Sequence, residues 1–520
     1  MKAMHHHIDR AARRLFYLSF VAIVSTAFGF VLRAITTDDW GREFALTETQ
    51  KGEILGAGLW PFAVSITLLS FIVDRLGFRT IFWFGLLCLA FGTALTVGSN
   101  GYGTLYFGTL CTSLGAGTVE AAANPLVSTL FVSDKTRWLN KLHAGWPAGL
   151  VAGGLLAIGL GSSVGWRYTI ALGSLPILAY AWMMRGQTFP VSERVAAGVT
   201  FKSMLAEAGF ASAFIASSLI VLAIGEVFGW SPWMEWPLIA VLTLTYGVYC
   251  RSVGNPLFVL MVLVMIPLAT TELGTDSWLT SLMEPEMVKL GLNPGWVLVY
   301  TAALMLVLRL NAGPLVHRLQ PLGLLAVGTA VATAGLWSLS MASGMLIFVA
   351  ATLYGLGKAF FWPTSLGFVA EQFPRGGAVA LSLVGGVGYL AVGSIGSVML
   401  GSIQDHATER VIVSHDAAYG SHWADAILGA PRPSMFGSYR GIAPDRLSEV
   451  DTATRTQIVA VTSESKKHAL RSVALLPVVM LAVYLLLMLY FRARGGYRPR
   501  AVTQEGHGVR SALPEKIPSG

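Results

Sequence analysis

The chain has 520 residues, 54% of them hydrophobic and only 12% charged, with a formal net charge of +8. Soluble proteins are usually about 25% charged, so this composition excludes an ordinary soluble domain and points to a membrane protein. The positive charge collects at the chain ends and in short loops between apolar runs, which suits the anionic face of a bilayer and excludes nucleic acid as an expected partner.

In chain order, Arg10, Arg13 and Arg14 precede a first apolar run at 15–36. The run is too long for a signal peptide and has no small-residue cleavage site near Arg33, so it is expected to be retained as a helix behind a tail of residues 1–14. His5, His6 and His7 read as part of that solvated tail. Runs of the roughly 20 residues needed to cross hydrocarbon follow at 49–73, 80–98, 104–131, 140–162 and 167–185, which completes a set of six. Two further runs, 207–228 and 232–250, precede a second set at 256–277, 295–316, 321–340, 344–370, 376–402 and 469–491. The expected fold is an all-α polytopic membrane protein with about fourteen transmembrane helices. Its parts are a six-helix bundle over 15–186, a linker with two extra helices over 187–253, a second bundle over 254–492 interrupted by a polar loop at 403–468, and a tail at 493–520. Basic residues recur on alternate loops, among them Arg75, Arg79, Lys135, Arg137, Arg194, Arg318, Arg375 and Arg492. The positive-inside preference then places both termini in the cytoplasm and the 403–468 loop outside a cell membrane. Cys88, Cys111 and Cys250 are scattered and form neither a disulfide framework nor a metal-ligand set, and no cofactor or metal is expected.

A charge near the bilayer centre costs about 2.5–3.5 kcal/mol on insertion scales and marks a pathway or a pair. The candidates are Arg33, Glu120, His143, Glu272, Arg309 and Lys358. Glu120, in GTVEAAANPLV, reads either as a proton carrier, since apolar surroundings favour a protonated carboxyl, or as half of an ion pair with Lys358 or Arg33. His143 has a tunable charge but suits packing equally. Arg309, one turn before Gly313, is expected near the cytoplasmic end in a snorkelling or latch role. Trp60, Trp146, Trp278 and Trp362 lie in apolar runs, where an indole packs or stacks on a sugar. TTDDW at 36–40 and GTDSW at 274–278 suggest a duplication offset by 238 residues, which sets Glu120 opposite Lys358. The pair Asp74-Arg75 instead matches His317-Arg318 at an offset of 243.

VDRLGFR at 73–79 resembles the loop between helices two and three of the major facilitator superfamily, where an Asp, a basic residue and a Gly form a cytoplasmic latch. That resemblance assigns a latch to Asp74, Arg75, Gly77 and Arg79, with Arg309 and Arg318 grouped with them. LGAGTVEAAANPLVSTLF followed by TRWLN resembles helix four and the next loop of the fucose permease and related sugar:proton symporters, and ATTELGTDSW is similar to their Glu-containing seventh helix. The fold implied is two six-helix bundles, here with two extra helices between them. The implied function is secondary transport of a small sugar or sugar-like solute by a lipid-embedded monomer, with protons as the coupling ion through Glu120. Taken together with the charged and aromatic positions above, the expected solute and proton pathway comprises Arg33, Glu120, Asn124, His143, Trp146, Glu272, Trp278, Lys358 and Trp362. Departures are Arg33 where helix one of that branch carries a carboxylate, His143 and Trp146 in place of its helix-five Gln and Asn, and the extra helices. Two other readings are a fourteen-helix drug:proton antiporter and a polytopic membrane enzyme using the 403–468 segment. Against the enzyme stands the lack of a nucleotide-binding Gly loop, HExxH or GxSxG.

Overall fold

A computed structural model describes residues 2–160, 164–276, 287–292, 296–434 and 437–502. Among them, ten helices are long and apolar enough to cross a membrane, joined by the shorter apolar helix Trp296–Leu310. Helices Tyr102–Leu130 and Pro232–Cys250, of 29 and 19 residues, are also long enough to span. The described structure is otherwise almost free of strand, with one antiparallel hairpin pairing Arg432–Ser434 with Gly437–Tyr439.

Glycine lets the helices close up where no side chain fits. A Cβ at Gly92 would lie 2.6 Å from the Thr112 amide of the neighbouring helix, and one at Gly357 would lie 2.3 Å from that of Ala332. Close backbone approach of this kind is how helices pack where lipid removes the hydrophobic drive between them. The first helix, Lys2–Phe44, is longer than expected. Thr36 and Thr37 return their hydroxyls to the carbonyls of Leu32 and Arg33 at 2.9 and 2.8 Å, so the helix continues through TTDDW and buries Trp40 against Trp166.

The two halves repeat in backbone detail. Gly77 and Gln320, 243 positions apart, each break a helix with positive φ, 78° and 59°. Phe131 and Phe373, 242 apart, end their helices with nearly identical angles (φ −126°, ψ 57° and 51°), and each leads into a 3₁₀ turn, Val132–Asp134 and Pro374–Gly376. This corrects the offset of 238 for helices four and ten: Glu120 stands opposite Trp362, not Lys358. The slip of four residues is about one helical turn, so it preserves the helix face and leaves the wrong alignment plausible.

The two extra helices appear as Phe201–Phe228, bent at Gly209, and Pro232–Cys250. The segment 403–468 is not a polar loop. Helix eleven, Gly377–Ala391, runs on through the π-helical turn Val392–Gly396 into Ser397–Tyr419; Thr452–Val473 packs against the latter and leads into the last helix, and short helices Trp423–Ile427 and Pro444–Glu449 lie between. Ile412, Trp423, Ile427, Leu428 and Ile458 form its own small core. Asp416 accepts the amides of Trp423 and Ala424 at 2.8 and 2.7 Å, and Glu409 pairs with Arg440 at 2.6 Å. Its polar sequence reflects helices with one thin apolar seam rather than irregular chain.

Candidate functional site

Glu272 and Arg309 form a buried ion pair at 2.7 Å. Glu272 rides on a π-helical turn, Thr270–Gly274, that continues Pro256–Ala269; such turns project one side chain out of regular register. Its second oxygen accepts the Trp362 amide at 3.0 Å. That amide is free because helix ten breaks at Ala359–Phe360, between Leu346–Lys358 and Phe361–Gln372. The same break exposes the Ala359 carbonyl, which takes Arg309 Nε at 2.6 Å, while Nη1 reaches across to the His143 carbonyl at 3.0 Å.

Arg309 stands in the last turn of Trp296–Leu310, but a second helix, Ala312–Leu339, follows at once. After a turn at Asn311 the helix resumes and reaches the break at Gln320, leaving Arg309 eleven residues, roughly 16 Å, from that break. Glu120 stands equally deep before Phe131. Lys358, also fully buried, pairs with the Asp276 carboxylate, donates to the Glu272 carbonyl at 3.2 Å and lies 5.1 Å over the Tyr354 ring. The expected pairing of Lys358 with Glu120 does not occur, because Asp276 takes the ammonium.

On the other side, Glu120 and Asn124 share one face of Tyr102–Leu130. Asn124 Oδ1 accepts from His143 Nε2 at 2.9 Å, and both side chains are buried. Glu120 is 2% exposed. Its Oε2, Asn124 Nδ2 and Trp362 Nε1 are buried and close no regular hydrogen bond among the described residues, with the Asn124 amide within reach of the Glu120 carboxyl. Tyr389 of helix eleven links these groups: its ring lies 4.3 Å from Phe62 and 4.6 Å from Trp362, within electrostatic reach of Glu120, Glu272 and Arg309. Sequence reasoning missed it; the signal was a lone phenol in the glycine-rich run VGGVGYLAVG. Arg33 is 9% exposed, and no described side chain bonds or pairs with its guanidinium. Trp146 is half-buried beside Phe30, and Trp278 lies outside the described residues.

The end of the bundle that carries both termini is sealed. Asp74 pairs with Arg194 of the linker helix Glu193–Ala196 at 2.7 Å, a partner not foreseen. Arg75 stacks over Phe201 at 5.1 Å, Gly77 supplies the left-handed turn, and Arg79 and Arg318 are exposed. Across the two bundles, the Thr136 amide donates to Glu371 at 3.1 Å, Asn140 to Thr364 at 3.2 Å, and Lys135 to the Ala370 carbonyl at 3.2 Å while pairing with Glu193 at 2.6 Å. The chain end closes over them: Tyr497 donates to Glu371 at 2.7 Å and the Arg500 amide to its carbonyl at 2.8 Å. Burial and the Glu371 carboxylate push the Tyr497 phenol well above its ordinary value.

Among solved structures, the E. coli fucose:proton symporter matches with a TM-score of 0.53 and 17% identity, over 75% of this chain and 93% of that one. A proton:xylose symporter matches with a TM-score of 0.57 and 12% identity, over 93% and 96%. The human organic anion transporter MFSD10 matches with a TM-score of 0.53 and 14% identity, over 75% and 93%. At these identities the likeness is one of fold. The model of the Major Facilitator Superfamily matches residues 16–397, and the chain belongs to that superfamily of membrane transporters.

Proposed function

We propose that the protein is a secondary active transporter that moves a sugar or sugar-like solute by alternating access and couples it to protons through Glu120. The observation that carries this reading is the trio of buried polar atoms on Glu120, Asn124 and Trp362 that close no regular hydrogen bond among the described residues. Each such atom costs about 1–3 kcal/mol if left unsatisfied, and together they offer an acceptor and two donors to a hydroxylated solute. The indole of Trp362 supplies the apolar platform that a sugar ring prefers. Arg33, buried without a side-chain partner, favours a solute that also bears an anionic group, such as a sugar acid. The neighbours described as fucose:proton and proton:xylose symporters support the same class. Superfamily membership favours a transporter over an enzyme. On the positive-inside reading, the sealed end is cytoplasmic.

The test is Glu120→Gln in proteoliposomes, with the solute first chosen by thermal shift among L-fucose, D-xylose and D-glucuronate. A symporter must release its proton to return empty, so the variant is expected to lose accumulation driven by a pH gradient while still exchanging labelled for unlabelled solute. If the variant still concentrates solute under the gradient, Glu120 is not the carrier.

A further inference from the structure

A cavity of about 640 Å³ lies at the end away from the termini. Its walls come from helices Glu48–Gly56 and Trp60–Ser70, the start of Tyr102–Leu130, the far end of the extra helix Phe201–Phe228, and helix eleven around Tyr389. The volume falls in the range that encloses a drug-sized molecule. Its charge is one-sided: Glu53 and Glu226 line it and no basic residue does. Lys51, the nearest cation in sequence, is held by Asp38 at 3.0 Å. Glu53 accepts a hydrogen bond from Tyr102 at 2.6 Å, which fixes the carboxylate without neutralising it. A third carboxylate, Glu235, presses against Gly225 just behind the wall.

The rest of the lining is aromatic, with Trp60, Tyr102, Tyr106 and Tyr389. Two of its polar atoms, Trp60 Nε1 and Ser394 Oγ, are buried and unpaired among the described residues. Carboxylates joined to aromatic walls are the chemistry that selects an organic cation, since the charge is met by the acids and the apolar body by the rings. Glu53 and Glu226 are both exposed, so a neutral sugar would gain nothing from their charge, and an anion would be repelled.

We propose that this cavity is a binding site for an amphipathic organic cation, with the extra helix Phe201–Phe228 present in part to supply its Glu226 wall. The shared chemistry is a bulky or quaternary onium group, whether on a free cation or on the choline headgroup of a phospholipid. The cavity shares Tyr389 with the central site, but neither Glu120 nor Trp362 lines it, and the proposal does not depend on the proposed sugar transport.

The probe is radiolabelled tetraphenylphosphonium, bound to the full-length protein in detergent. Saturable binding of one cation per chain is expected, with the Kd raised at least tenfold in Glu53→Gln/Glu226→Gln, and lost in Ala223→Trp, which fills the cavity. Thermal unfolding checks that these variants fold. Neutral triphenylphosphine oxide should not compete. Competition by monomeric short-chain phosphatidylcholine assigns the natural occupant to a lipid headgroup, and its absence assigns it to a free cation. An unchanged Kd in the double carboxamide variant, or loss of binding in Glu120→Gln with the double variant unaffected, overturns the proposal.

Discussion

The two halves of the central site are built on one duplicated scaffold and treat charge in opposite ways. In the C-terminal half, every ionic group is answered: Glu272 by Arg309 and the Trp362 amide, Arg309 by two further carbonyls, Lys358 by Asp276. In the N-terminal half, Glu120 is as deeply buried and equally far from its helix end, yet one of its oxygens closes no regular hydrogen bond. A saturated pair is costly to break and serves as a frame. Glu120 has no ion pair among the described residues to give up on taking a proton, so on the proposed reading the difference separates the part that holds shape from the part that changes state.

The sharpest way to break this comparison is Arg309→Ala. It leaves the Glu272 carboxylate buried and uncompensated and removes the tie to the His143 carbonyl, so a loss of about 3–5 kcal/mol is expected, read as a large drop in Tm in detergent. Arg309→Lys should not rescue it, since a point charge cannot serve three acceptors in a planar fork. A Tm close to that of the parent would mean that the C-terminal half is no more a frame than the other.

Matched carboxamide substitutions come next. Glu272→Gln weakens two hydrogen bonds to a charged acceptor and is expected to cost about 2–3 kcal/mol. Glu120→Gln removes a buried charge without an ion-pair partner and should leave stability within about 1 kcal/mol of the parent or raise it. Equal losses in parallel melts would erase the distinction between the halves.

Lys358→Met is expected to cost less, about 1–2 kcal/mol, because Asp276 has a 41% exposed side chain and can turn to water. The pH profile of uptake should also stay in place, since the ammonium serves Asp276 rather than Glu120. A displaced profile would show that the two halves share one titrating network.

Much of this architecture was legible in local features. Length and apolarity located helices Phe201–Phe228 and Pro232–Cys250, and the VDRLGFR motif drew attention to Asp74, which forms an ion pair, and to Gly77, which breaks its helix with positive φ. What failed was the assignment of partners. A four-residue slip along a helix keeps the same face, so Glu120 was matched to Lys358, and only the backbone breaks at Phe131 and Phe373 correct it. An Arg near a Gly suggests a helix end, and Arg309 does lie in the last turn of Trp296–Leu310, but nothing local announces that a second helix follows after Asn311. Arg194 and Asp276 were read as a loop charge and a repeat marker; ion-pair partnership depends on tertiary approach that no local pattern encodes.

The smallest expected effect lies outside both halves, at the sealed end, where the frame can be sharpened into a gate. Tyr497 gives Glu371 one hydrogen bond, while Thr136 of the opposite bundle donates to the other oxygen. Tyr497→Phe should therefore loosen the closed state by about 1 kcal/mol, roughly fivefold in the gate equilibrium. Ala370 is buried under the Lys135 contact, so an Ala370→Cys reporter, with Cys88, Cys111 and Cys250 replaced by Ser, measures opening by its rate of labelling with an impermeant thiol reagent. The rate should rise about fivefold with Tyr497→Phe. The pH dependence has a definite sign. Because the folded phenol is held above its unfolded value, about 10, its contribution is complete below that value and is lost only as pH rises through the higher folded one. Labelling of the Tyr497 protein should stay flat from neutral pH to about 9, well below the point where the proton leaves. A rise over that interval that Tyr497→Phe abolishes would mean that the phenol titrates early and that the strap is a pH sensor rather than a fixed tie.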